Sequence, residues 1–143
     1  MADWYGSSRS NYFRVKDVEK FKKLCSLWGI DFIRDTEYTN GVEIESPDLV
    51  GFTCESGLPS YRSEAISEDT EHELNFDGFM QELSELLVED EVAVMVEAGA
   101  EKLRYITGFA IAINSRGEQV SVSLESIYEI AKALGKNITK AEY

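Results

Sequence analysis

The sequence predicts an α+β fold: a single domain, mostly antiparallel sheet, with about three helices laid on it. Three observations lead there. Apolar residues recur at three- and four-residue spacing in three stretches, several short β-rich runs lie between them, and Asn40-Gly41 between two such runs is a hairpin signal. The chain has 143 residues, which fits one domain over 1–143.

Met1 to Asn11 is rich in small and polar residues and reads as irregular, with Trp4 and Tyr5 available to dock. Tyr12 to Val15 reads as a short strand. Asp17 stands where an N-cap is wanted, ahead of Val18, Phe21, Leu24, Cys25 and Trp28 on one helical stripe, and Gly29 ends that helix. Ile30 to Arg34, Val42 to Glu45 and Leu49 to Cys54 follow as three strands. From Glu55 to Asn75 the chain turns to Ser, Glu, Asp, Thr, Gly and Pro, a long acidic connection at about 55–75. Asp77 then caps a helix with Phe79, Met80, Leu83, Leu86 and Leu87 inward. Val92 to Val96 and Tyr105 to Asn114 are strands, the second with Phe109, Ile111 and Ile113 on one face and Gly108, Ala110 and Ala112 on the other, where a helix can approach closely. Ser115-Arg116-Gly117 turns the chain into Gln119 to Val122. Ser123 opens a last helix with Leu124, Ile127, Tyr128, Ile130, Ala131 and Leu134 inward, and Gly135 closes it. The order suggests a duplicated helix-strand-strand-strand unit, once from Val18 and once from Gly78.

Composition excludes several function classes. With 27 acidic residues against 14 basic ones the net charge is −13, which opposes a sequence-independent grip on nucleic acid or an anionic membrane. The sequence contains no secretory signal and no apolar run near the roughly 20 residues of a membrane span, so a cytoplasmic protein is expected. Cys25 and Cys54, without CxxC spacing, read as reduced thiols, and a single histidine, His72 in an acidic run, supports neither a metal site nor a catalytic triad. Neither GxGxxG nor GxxxxGK[ST] occurs and no window fits an EF-hand, so no cofactor and no metal are expected.

The charge is unevenly placed. Residues 1–34 carry a net +3 and residues 102–143 a net +2, while residues 35–101 hold 19 acids and one base, Arg62, for a net −18. A surface tuned only for solubility intersperses both signs. Glu82, Glu85 and Glu89 recur at helical steps of three and four, Asp90 and Glu91 extend the row, and Glu64, Glu68, Asp69, Glu71 and Glu73 crowd the preceding connection. Such a row, with neighbours roughly 5–6 Å apart, matches the scale of phosphates along a nucleic-acid strand. Trp4, Tyr5 and Tyr61 are of the types that anchor interfaces.

Trp4-Tyr5-Gly6 with Arg9 and Asn11 to Asp17 is similar to the opening of small acidic proteins of unassigned role encoded on bacterial plasmids, conjugative elements and phages. Gly99 to Tyr105, Gly108, Asn114, Ser123-Leu124, Ile127 to Glu129 and Ile138 to Tyr143 also resemble that group, about half the chain in all. The resemblance implies a mobile-element context, in which anti-restriction and anti-CRISPR proteins are a frequent class, and supplies no catalytic residues. The expectation is a non-enzymatic inhibitor whose acidic face, mimicking DNA, blocks a basic nucleic-acid-binding protein or complex of the bacterial host, with no direct contact to nucleic acid or membrane. The alternatives are a ligand-binding module with a pocket near Tyr105 and Phe109, or an enzyme using Asp, Glu and Tyr. Oligomeric state is not indicated.

Overall fold

Asp17 opens a helix as its sequence predicts, but several other elements form for reasons that hydropathy does not carry. A computed structural model describes residues 5–55, 57, 59, 75–101 and 104–141. The described elements are β1 (Tyr5–Ser10), β2 (Phe13–Arg14), α1 (Val18–Trp28), β3 (Asp31–Thr39), β4 (Val42–Cys54), α2 (Phe76–Leu86), β5 (Val92–Glu101), β6 (Arg104–Asn114), β7 (Gln119–Ser123) and α3 (Ser126–Ala131). The described strands pair antiparallel in one sheet, in the order β3, β4, β1 with β2, β5, β6, β7. The α+β class is as the sequence predicts.

The Asp17 carboxylate accepts from the backbone N–H groups of Glu19 and Lys20 at 3.0 and 3.2 Å, satisfying donors that the first turn of α1 leaves open. Gly29 closes the helix, its N–H reaching the carbonyls of Cys25 and Ser26. The second helix starts earlier than expected. Asn75, not Asp77, is its cap, with its side-chain oxygen accepting from Gly78 N at 3.0 Å. Phe76 thereby becomes the first helical residue and stacks on Phe79, and Asp77 falls in the first turn, where a carboxylate suits the positive end of the helix.

α1 and α2 cover one face of the sheet. Between them and the sheet lie Phe13, Phe21, Trp28, Phe52, Phe79 and Met95, among the other buried residues of a single core cluster. Phe79 is its centre: its ring is 5.4 Å from Trp28 and 5.7 Å from Phe52, both edge-to-face, the arrangement that aromatic quadrupoles favour. Cys25 and Cys54 are both free and buried.

The start of the chain corrects the expectation of an irregular segment. β1 is an interior strand, paired with β5 from Tyr5↔Ala100 to Ser10↔Met95 and with β4 on its other side. Its inward residues are serines, so it carries no apolar alternation. Those serines are satisfied: Ser8 Oγ donates to Gly57 O at 2.9 Å, and Ser10 Oγ donates to Asn11 O at 2.7 Å while accepting from Phe52 N at 2.8 Å. Gly51 makes the crossing over this point sterically open, since a Cβ there would sit 2.7 Å from both Asn11 O and Ser10 Oγ.

The two strands expected over 42–45 and 49–54 are one strand, β4. The pairing jumps from Arg34↔Val50 to Thr36↔Glu45, so residues 46–49 bulge opposite Asp35. Pro47 lies in that bulge, where a residue with no N–H can interrupt a ladder without ending the strand. α1 is therefore followed by two strands and α2 by three, and the duplicated helix-strand-strand-strand unit is not reproduced.

The last helix also differs. It runs over six residues, Ser126–Ala131, has no side-chain cap from Glu125 or Ser123, and buries none of its residues. Leu124, Ile127, Ile130 and Leu134, expected inward, are exposed. The physical reason is that α1 and α2 already fill the inner face. The chain leaves β7 toward the outer face, where Leu124 lies over Gly108.

Candidate functional site

The acidic row of the α2 region is built in two parts. α2 ends at Leu86 and Leu87 is extended, with φ −68° and ψ 137°, so Glu82 and Glu85 are on the helix and Glu89, Asp90 and Glu91 are beyond it. The expected continuous helical row is thus broken after Glu85. A tight turn carries the rest: Glu91 N donates to Val88 O at 3.0 Å, and Asp90 adopts a left-handed φ of 69°.

Each carboxylate has its own surroundings. Glu82 is half-buried and accepts from Trp28 Nε1 at 3.0 Å, tying α2 to α1. Glu91 accepts from Arg14 N at 2.7 Å, with the Arg14 guanidinium 3.9 Å away. This pins the turn to β2, beside the backbone bonds Lys16 N to Leu86 O and Val88 N to Arg14 O. Glu85, Glu89 and Asp90 are the exposed members.

Arg116 faces this group from the β6–β7 turn. Its pKa is raised, first by its hydrogen bond and charge contact with Glu118 and then by Asp90 and Glu89. Glu118 is held below the ordinary carboxylate range, because the Asn114 amide and the Arg116 guanidinium both donate to it, at 3.0 and 2.7 Å. Asn114 Oδ1 in turn accepts from the backbone N–H groups of Arg116 and Glu118, each at 3.0 Å, so the turn is rigidly presented. Ser84 Oγ donates to Asn114 O at 2.9 Å and joins it to α2. Between them is a shallow pocket of about 270 Å³, lined by Gln81, Ser84, Glu85, Ile113, Ser115, Arg116, Gly117 and Gln119. Phe109, an expected neighbour of a ligand pocket, does not line it, and the side chain of Tyr105, the other, lies outside the described residues.

Glu64, Glu68, Asp69, Glu71, Glu73, Tyr61, His72 and Trp4 lie outside the described residues. Tyr5 opens β1 and is highly exposed. Among the described residues there is no group of three or more His, Cys, Asp or Glu side chains that could hold a metal ion, and no helix long and apolar enough to cross a membrane.

The reading of the sequence missed the basic residues that flank the row, Arg14 and Arg116, because they are distant in sequence from the acids they meet. It also missed an apolar face of the sheet that the other described elements leave exposed. Here a signal existed: Val120 and Val122 alternate with Gln119, Ser121 and Ser123. Fold and site together define a two-layer α+β protein with an exposed acidic corner on one side and an apolar sheet face on the other. No protein family, curated protein or solved structure matches this chain.

Proposed function

We propose that this chain acts without catalysis, as an acidic binding protein that occupies a basic nucleic-acid-binding surface of a bacterial host defence complex. The observation that carries the reading is the segregation of charge: residues 35–101 hold 19 acids and one base. Glu85, Glu89 and Asp90 are exposed at one corner of the domain and supply anionic contacts there. Attraction of this kind accelerates encounter with a cationic partner, while apolar and aromatic contacts such as the exposed Tyr5 determine lifetime.

The test uses Glu85→Lys with Glu89→Lys and Asp90→Asn. Glu82 and Glu91 are left alone because they hold Trp28 and Arg14. Asn replaces Asp90 because it tolerates left-handed backbone. Affinity capture from bacterial lysate at low and high salt is expected to retain basic nucleic-acid-binding subunits at low salt only, and the triple variant to weaken that capture by about tenfold or more. Capture that is indifferent to both salt and the substitutions would overturn the reading.

A further inference from the structure

Among the described residues, no helix layer covers the second face of the sheet. Core residues Ala93, Met95, Ile111 and Ile113 point toward α1 and α2, so the alternate positions of β5, β6 and β7 point away. On that outer side Val92, Val96, Ile106, Val120 and Val122 are between 45% and 73% exposed. At its margin Leu124, over Gly108, is 55% exposed. At about 100 Å² of apolar side chain per residue, these positions leave on the order of 350 Å² bare. A contiguous apolar patch of that size is often functional, and with the smaller outward residues Val94, Ala98, Ala110 and Ala112 and a polar rim it can form the centre of a standard interface of roughly 800 Å² per partner.

We propose that a second copy of this chain covers this face, the two sheets packing outer face to outer face about a two-fold axis. Charge argues for a copy of itself. The chain carries −13, so two copies repel wherever carboxylates would meet. From Val92 to Ala98 on β5, Ile106 to Ala112 on β6 and Val120 to Val122 on β7, no outward position is charged. This is therefore a surface on which two such chains can come together without opposing acids.

Shape agrees. A two-fold interface uses one patch on both partners, so that patch must present both a projection and a recess. β6 offers a floor of Gly108, Ala110 and Ala112 between the valines of β5 and those of β7. Leu124 begins an apolar projection at the margin of that floor, where a Cβ on Gly108 would come within 2.8 Å of Leu124 Cγ. The packing leaves Glu85, Glu89 and Asp90 outside, so it does not depend on the partner proposed above.

Sedimentation equilibrium or light scattering at on the order of 10 µM, above the micromolar Kd that weak interfaces of this size show, is expected to give about twice the 16.1 kDa of one chain. Val96→Lys and Val122→Lys, at exposed positions on the outer face, are each expected to return the mass to one chain with the circular dichroism spectrum unchanged and a melting curve that no longer depends on protein concentration. Ser121→Lys, on the opposite side of the same edge strand, is expected to leave the dimer intact. A wild-type monomer overturns the proposal. So does a dimer indifferent to both valine substitutions, or one dissociated by Ser121→Lys alone, which would instead indicate pairing along the β7 edge.

Discussion

The hydrogen bond from Trp28 to Glu82 offers a direct measure of how much α2 depends on α1. Trp28 is only 4% exposed, and its indole N–H reaches the Glu82 carboxylate at 3.0 Å. A hydrogen bond to a charged group contributes about 1.5–3 kcal/mol, and leaving a buried donor without its acceptor costs about 1–3 kcal/mol. Glu82 is half-buried, so water recovers part of that loss, and Glu82→Ala is expected to destabilise the chain by about 2 kcal/mol. For a domain of this size that corresponds to a fall in Tm of roughly 8 °C. Glu82→Gln keeps an acceptor oxygen at the same reach and is expected to lose less than about 1 kcal/mol. Urea unfolding followed by tryptophan emission and by circular dichroism measures both variants. The reasoning is refuted if Glu82→Ala matches the wild type, or if Glu82→Gln loses as much as Glu82→Ala.

Two further outcomes follow from the core. Phe79→Ala removes a ring that is fully buried against Trp28 and Phe52, and is expected to cost about 3–5 kcal/mol in denaturant unfolding; a loss below about 1 kcal/mol would show that the pocket collapses freely. Burial, with the Asp31 carboxylate adding to it, pushes the Cys25 thiol up to about 12. The folded chain therefore holds this thiol neutral while the unfolded chain ionises it near the ordinary 9.0, so its contribution to stability is present below pH 9 and is lost as pH rises toward 12. An aromatic disulfide reagent at pH 8 is expected to modify Cys25 only as the chain unfolds, and prompt reaction of the native protein at that position would contradict this.

The elements that were legible in the sequence are those whose burial is apolar and whose caps are local. α1 is the clearest: Asp17, the stripe from Phe21 to Trp28 and Gly29 all act within a dozen residues of one another. β1 was illegible because its buried side chains are Ser8 and Ser10, whose partners Gly57 and Phe52 lie 49 and 42 residues away. The single strand over 42–54 was not legible because a bulge opposite β3, in which Pro47 lies, separates its two apolar runs. α3 has an apolar stripe that periodicity assigns to the core, yet periodicity cannot say which face of a sheet is already occupied. The same limit applies to the acidic corner. The spacing of Glu82, Glu85 and Glu89 finds the residues, while the indole, Arg14 and Arg116 that engage or flank the row arrive from elsewhere in the chain.

The place of β1 in the middle of the sheet has a consequence for synthesis. It is made ahead of the other described elements, and while its β4 partners end at Cys54 its β5 partners run to Ala100, so one edge of this strand waits until the chain up to Ala100 is made. At about 5–20 residues per second, that interval is several seconds to tens of seconds. Until β5 follows, β1 can pair with β4 on one side only, and its other edge is left open to chaperones or misassembled copies.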